Sequence, residues 1–306
     1  MSARPDSNAG EPRDGRTGAS GTARAGPSGR DRPGDRLGDR PGDRPRPRGR
    51  ALVTGASTGI GEEIARELAR RGWSLVITAR SEERLASLAA ELRSEHGVQV
   101  GVIAGDLTQA GMPARLEEAT EGSGVPIDLL VNNAGFGQYG EFLESDLDRE
   151  LAMIQLNVTA VTELTKRFAR PMAERGRGRI LNVASTAAFQ PGPLMSVYYA
   201  TKAYVVSFSE ALRQELRAHG VTVTTLCPGP TSSEFQSRAR MEESPLFNRM
   251  SVPSSATVAR YGVDATLAGR GIAVQGLMNR ILATLTRFAP RSILPGIVRR
   301  IQEKRG

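Results

Sequence analysis

Cysteine is almost absent: Cys227 stands alone among 306 residues. A single thiol excludes an intramolecular disulfide framework. With only two histidines, His96 and His219, a Cys/His zinc cluster cannot be assembled either. No metal is expected. No run of 18 apolar residues occurs, so no transmembrane helix is expected. The layout of a secretory signal is missing too, and a cytoplasmic location is the expectation. Lysine is scarce. Of 41 Lys+Arg, only Lys166, Lys202 and Lys304 are lysines. A lysine inside a motif therefore draws notice.

What charge there is lies unevenly. Residues 1–50 hold twelve arginines and seven acids, which is +5 of the chain's formal +8. The high isoelectric point is thus mostly a property of this end, and nucleic acid is not expected as a partner. Residues 31–46 repeat a DRPG-like tetrapeptide. Such a segment, 1–49, buries too little apolar surface to offset its ordering entropy, so a disordered tail is expected. A polyanion-binding arm is the alternative, but acids alternate with the arginines and dilute the field.

From Arg50 the pattern changes. Apolar runs at 51–54, 74–78, 98–104, 127–131, 179–183, 221–226 and 272–275 read as strands. Helical periods near 60–71, 82–95, 113–121, 146–175 and 196–218 separate the first six. Continuous apolar strands divided by helices predict a parallel sheet covered on both faces. Right-handed crossovers then make one doubly wound α/β domain, with a parallel sheet of about seven strands. The expected organisation is a tail (1–49), a catalytic domain (50–275) and a basic amphipathic extension (276–306).

The first strand runs into Thr54-Gly55-Ala56-Ser57-Thr58-Gly59-Ile60-Gly61, and a helix follows. Glycines there allow a tight turn and close approach of backbone to a pyrophosphate, which the helix N-terminus favours. The second strand ends in Ala79-Arg80. An acid at this place would bond a ribose 2′-hydroxyl; an arginine suits a 2′-phosphate. NADP(H) is therefore preferred, with NAD(H) still possible. Asp106, after the third strand, either accepts from an adenine amino group or caps the next helix. The fourth strand ends in Asn132-Asn133-Ala134-Gly135, small residues and amides where open α/β sheets place ligands.

The fifth strand ends at Ser185. Downstream, Tyr198 and Lys202 stand four apart on one helix face. A tyrosine alone is a poor base, with a free pKa of about 10. A nearby ammonium favours the phenolate and tunes the group toward acid–base work. Arginine, with its planar fork, would not replace a compact ammonium there.

TGASTGIG, NNAG, Asn157 in Leu156-Asn157-Val158, Ser185, YxxxK at 198–202 and Pro228-Gly229 together resemble the short-chain dehydrogenase/reductase family, from about residue 50 to 275. NNAGFGQYGEF and NVASTAAFQPGPLMSVYYATKAY resemble its bacterial ketone- or acyl-reducing branch. The resemblance implies a Rossmann-type fold and interconversion of a carbonyl and a secondary alcohol by hydride transfer. It implies that Tyr198 is the general acid/base and that Ser185 holds the substrate oxygen. Lys202 would bind the nicotinamide ribose and depress the Tyr198 pKa. Asn157, in a helix kink, would hold a relay water. Gly55, Ser57, Gly59, Ile60 and Gly61 would line the pyrophosphate. Asp106 and Leu107 would meet the adenine, and Asn133, Ala134 and Gly135 the ribose side. Pro228, Gly229 and Thr231 would contact the nicotinamide. A homodimer or homotetramer is implied as well. Tyr199 points about 100° from Tyr198 on an ideal helix and is not expected to share its role.

Residues 232–252 read as the segment covering the substrate, with Phe235, Met241, Leu246, Phe247 and Met250 suiting an adaptable apolar pocket or ordinary packing. Arg280, Arg287, Arg291, Arg299 and Arg300 punctuate apolar residues in 276–306. That segment suits a weak peripheral contact with an anionic membrane, or packing on the domain or a second subunit. Pro290 and Pro295 break any long helix in it. Two other functions compete with a ketone reductase: a 3-oxoacyl-thioester reductase, and a dinucleotide-binding regulator without catalysis.

Overall fold

The computed structural model describes residues 48–232, 252–286, 288, 290 and 292–303. The tail before residue 48 and nearly all of the expected substrate-covering segment, 233–251, lie outside the described residues. Seven parallel strands form one sheet among the described residues: β1 (Arg50–Thr54), β2 (Ser74–Thr78), β3 (Val100–Val102), β4 (Leu129–Asn132), β5 (Gly178–Val183), β6 (Val221–Cys227) and β7 (Ile272–Val274). Their order is β3-β2-β1-β4-β5-β6-β7.

The apolar runs are continuous because both faces are covered. Ala51, Val53, Leu75, Ile77, Leu129, Val131 and Leu181 enter one buried cluster. The intervening Leu52, Val76, Leu130 and Ile180 enter the other. Alternate residues point to opposite faces, and here both faces are dry. The first face is covered by α1 (Gly59–Arg70), α2 (Glu82–His96) and a helix not expected from the sequence, Ser255–Leu267. The second is covered by α3 (Met112–Ala119), α5 (Val161–Glu174) and part of α6 (Ser196–Leu216).

The single helix expected over 146–175 is interrupted. α4 (Leu147–Ile154) runs into a π-helical segment, Gln155–Ala160, and then into α5. Asn157, 1% exposed, sits inside that segment. The extension past 275 holds two short helices, with Ser255–Leu267 numbered α7, Leu277–Leu285 α8 and Leu294–Gln302 α9. Pro290 falls between α8 and α9 and Pro295 in the first turn of α9, the positions proline tolerates.

The chain moves from β1 outward to β3, then returns to β4 and proceeds the other way. The crevice beyond the carboxyl ends of β1 and β4 is the point where such a sheet accepts a ligand. Among the described residues no helix is long and apolar enough to cross a membrane.

Candidate active site

A cavity of about 560 Å³ opens along the carboxyl ends of the strands. The segments after β1, β2, β3, β4, β5 and β6 all contribute to its wall. Gly55, Ser57, Gly59, Ile60, Arg80, Asp106 and Leu107 line one part. Asn133, Ala134, Gly135, Ser185, Tyr198, Lys202, Pro228, Gly229 and Thr231 also line it. The structure thus brings together nearly every residue expected from the sequence.

Gly61 and Asn157 are placed otherwise: neither is on the cavity wall. Gly61 is packed behind the turn, where a Cβ would stand 2.3 Å from the Gly55 carbonyl oxygen and 2.2 Å from Asn133 Nδ2. Its smallness lets α1 approach β1 closely. Gly55 (φ +65°) and Gly59 (φ +63°) supply the left-handed turns.

The amides after β4 serve the scaffold. Thr54 Oγ1 donates to the Val131 carbonyl at 3.1 Å and accepts from the N–H groups of Asn133 (2.9 Å) and Ala134 (3.0 Å). Asn133 Nδ2 donates to the Thr54 carbonyl at 2.9 Å. Asn132 donates to Thr165 and to Asn182, which donates to Ser209. These bonds lock β4 to its neighbours and engage the Nδ2 of Asn133. Asp106, on the wall, is partly engaged: Oδ1 accepts from the N–H and hydroxyl of Thr108. It does not cap α3, whose N-cap is Gly111.

Tyr198 and Lys202 stand one turn apart on α6. Lys202 is 6% exposed, and its Nζ donates to the Val183 carbonyl at 2.9 Å. Nζ lies 5.8 Å from the centre of the Tyr198 ring. Burial pulls the Lys202 pKa down from 10.5 to about 8. The Tyr198 pKa is not depressed as expected. Burial pushes it well above 10, with a smaller downward pull from its hydrogen bond with Ser185. The physical reason is mutual desolvation: a lysine that itself resists charging gives little to a phenolate. Ser185 is held by the Ala187 N–H, 3.1 Å from its Oγ.

Asn157 backs this group. Its Oδ1 accepts from the Phe136 N–H at 3.2 Å, and Nδ2 donates to the Phe136 carbonyl and to Thr201 Oγ1. A Cβ on Gly135 would stand 2.9 Å from Asn157 Oδ1 and 3.5 Å from Lys202 Nζ. Gly135 thus keeps a gap between the amide and the ammonium.

Among the wall residues that the sequence did not point to are Arg84, Phe136, Met195 and Tyr199. Arg84 joins Arg80 at the adenosine end. Its spacing of four from Arg80 was a usable signal. Tyr199 also lines the cavity, although it neighbours Tyr198 on the helix. The two rings meet edge to face at 6.1 Å and 75°. The first turn of α6 lies along the wall, so adjacent side chains both reach it.

The wall fits a dinucleotide. α2 and α4 are capped by the side chains of Ser81 and Asp146, whereas Thr58 makes no side-chain cap on α1. The first turn of α1 therefore keeps its N–H groups for an anion, and the glycine turn leaves room for one. Arg80 and Arg84 add positive charge farther along. Among the described residues no cluster of metal-ligating side chains occurs.

Known proteins match this description. The sequence model of the short chain dehydrogenase family matches residues 50–244. A very-long-chain 3-oxoacyl-CoA reductase of Mus musculus is 31% identical over 258 residues, 83% of this chain and 81% of that protein. A very-long-chain 3-oxoacyl-CoA reductase of Danio rerio is 37% identical over 182 residues, 58% of this chain and 56% of that protein, so the chain spans little more than half of that relative. A short-chain dehydrogenase from Sphingobium yanoikuyae, solved in complex with NADPH, superimposes with a TM-score of 0.70 at 31% identity, covering 80% of this chain and 97% of that one. The finer resemblance to a bacterial ketone- or acyl-reducing branch gains no support from these two curated relatives, which are vertebrate proteins. Fold, motifs and matches agree on the wider group: the chain belongs to the short-chain dehydrogenase family.

Proposed function

We propose that the chain interconverts a carbonyl and a secondary alcohol, with NADP(H) preferred over NAD(H). The observation that carries this reading is the convergence of Ser185, Tyr198 and Lys202 on one cavity that also holds Arg80 and Arg84. When bound, the nicotinamide supplies or accepts the hydride. Gly55, Ser57, Gly59 and Ile60 hold the pyrophosphate, and Arg80 and Arg84 the 2′-phosphate. Ser185 donates a hydrogen bond to the substrate oxygen. Tyr198 gives that oxygen a proton during reduction and removes it during oxidation. Lys202 binds ribose hydroxyls. Gly135 and Asn157 leave a passage for proton exchange beside Lys202.

A second reading is favoured by the vertebrate relatives, named as 3-oxoacyl-CoA reductases. A 3-oxoacyl thioester presents the same ketone to the same residues. Phe136, Met195 and Tyr199 give the substrate end an apolar wall, which suits an acyl chain or a bulky ketone.

Cofactor titration tests the reading. NADPH is expected to bind more tightly than NADH when followed by nicotinamide fluorescence. Arg80→Ala should weaken NADPH about tenfold, the worth of one charge-assisted hydrogen bond of about 1.5 kcal/mol, and leave NADH unmoved. Equal loss for both cofactors would discard the 2′-phosphate assignment. Binding of neither would sink the enzyme reading and favour another role for the fold.

Assembly as a homodimer or homotetramer belongs to the same proposal. So does a weak membrane contact through 276–306, where Leu277, Met278, Ile281, Leu282, Leu285, Ile293, Ile297 and Ile301 are all exposed. Co-sedimentation with phosphatidylserine vesicles, lost on deleting 276–306 or in neutral vesicles, is the expected result. No sedimentation with either vesicle removes the membrane contact.

A further inference from the structure

α9 reaches the cavity wall through a buried face. Residues 294, 298 and 302 stand four apart and share a helix face. Leu294 and Val298 pack in a cluster with Met153, Ala187, Met195, Tyr198 and Tyr199. Gln302 is 1% exposed. Its Nε2 donates to the Tyr199 hydroxyl at 2.6 Å, and its backbone carbonyl accepts from the Tyr139 hydroxyl at 2.9 Å. Its Oε1 is buried with no hydrogen-bond partner.

The receiving ring is clamped. Tyr198 meets it edge-on. Gly192 lies against it so closely that a Cβ there would stand 2.2 Å from the ring. Gln302 and Gln190 hold the hydroxyl end. A leucine at 302 would remove the unpaired Oε1, but it would also take away the donor to the Tyr199 hydroxyl oxygen. What the amide adds is direction: it fixes the phenol oxygen, and through it the angle of a ring that faces the substrate. Tyr199 lines the cavity and Gln302 does not, so Gln302 acts through Tyr199.

We propose that Gln302 is a positioning residue for substrate selection. By pinning Tyr199 it makes α9 part of the wall beside Tyr198, and it limits the size of the apolar group that a ketone can carry on that side. This rests on the carbonyl-reductase reading above. The probes are a methyl alkyl ketone and a diaryl ketone, reduced with NADPH by the full chain, by Gln302→Ala and by Tyr199→Phe. The diaryl-to-methyl ratio of kcat/KM is expected to rise tenfold or more in both variants, while NADPH affinity stays within twofold of wild type. A ratio within twofold of wild type in both variants overturns the proposal. Should Gln302→Ala lose its fold, Tyr199→Phe decides together with Gln190→Ala, because both glutamines bond the hydroxyl that Tyr199→Phe removes. A tenfold rise in Tyr199→Phe with Gln190→Ala within twofold of wild type assigns the effect to Gln302, and an equal rise in Gln190→Ala overturns the proposal. Wild type that binds NADPH and reduces neither ketone overturns the carbonyl reading, and this proposal with it.

Discussion

Tyr198→Phe is expected to lower turnover by about 10²–10⁴-fold, the usual worth of a positioned general acid, with NADPH affinity nearly unchanged. The ring stays, so the packing against Tyr199 and the clamp on α6 stay with it. What goes is one hydroxyl, bonded to Ser185 and buried. Burial holds that hydroxyl protonated at neutral pH, which is the form that reduction needs. Oxidation needs the phenolate. Alcohol oxidation is therefore expected to climb as pH rises, while ketone reduction stays flat through the neutral range. Lys202 sets the upper limit of that plateau, because its ammonium is lost above about pH 8. Rates in both directions, measured from pH 6 to 10 with wild type and variant, check this. A variant that keeps more than a tenth of the wild-type rate would remove Tyr198 from the chemistry.

Lys202→Met should lose activity and gain stability together. The folded chain holds the ammonium at a pKa of about 8, against 10.5 for an ordinary lysine. That difference corresponds to about 3 kcal/mol of destabilisation at neutral pH. The sign follows from proton binding. Below pH 8 both folded and unfolded chains carry the proton, and the penalty is complete. Between 8 and 10.5 the unfolded chain binds more of it, so stability rises with pH. Above 10.5 neither carries it and the penalty is gone. Methionine fills similar space without charge. Losing the bond from Nζ to the Val183 carbonyl takes back about 1 kcal/mol. A net gain of about 2 kcal/mol raises Tm by about 4 °C for a domain of this size. The gain should shrink as pH passes from 8 toward 10.5. Turnover should fall by at least about 10²-fold, because a buried charge aimed at the site is lost. A lower Tm at pH 7 would show that Lys202 serves the fold more than the reaction.

Much of this site can be read before any coordinates exist. The strand runs are continuous because both sheet faces are dry, and that pattern alone implies the parallel sheet. TGASTGIG and YxxxK are local spacings, and each survives folding as a turn or a helix face. Other parts are not local. α7 mixes three alanines with β-branched residues and a glycine, so its own preference for helix is divided. It is a helix because it packs: at Gly262 a Cβ would stand 2.6 Å from Leu226 on β6. Gln302 meets Tyr199 across 103 positions of sequence, with no spacing to reveal it. The raised Tyr198 pKa was missed for a related reason. The Tyr–Lys spacing is visible in the chain, but the depth at which both are buried is a property of the fold.

The π-helical segment at Gln155–Ala160 has a consequence for insertions and deletions. A π turn is one residue wider than an α turn, so it acts as a single-residue insertion carried inside a helix. Removing one residue there would restore an unbroken α-helix from 147 to 174, with better local hydrogen bonding. It would leave α4 and α5 presenting nearly the same faces as now, because the wide turn already absorbs the extra residue. Phe168 and Leu164 would stay buried under the sheet. Asn157 would leave the Phe136 backbone that it brackets. Loss of a single residue here should therefore leave the fold standing and cost the placement of Asn157 behind the site.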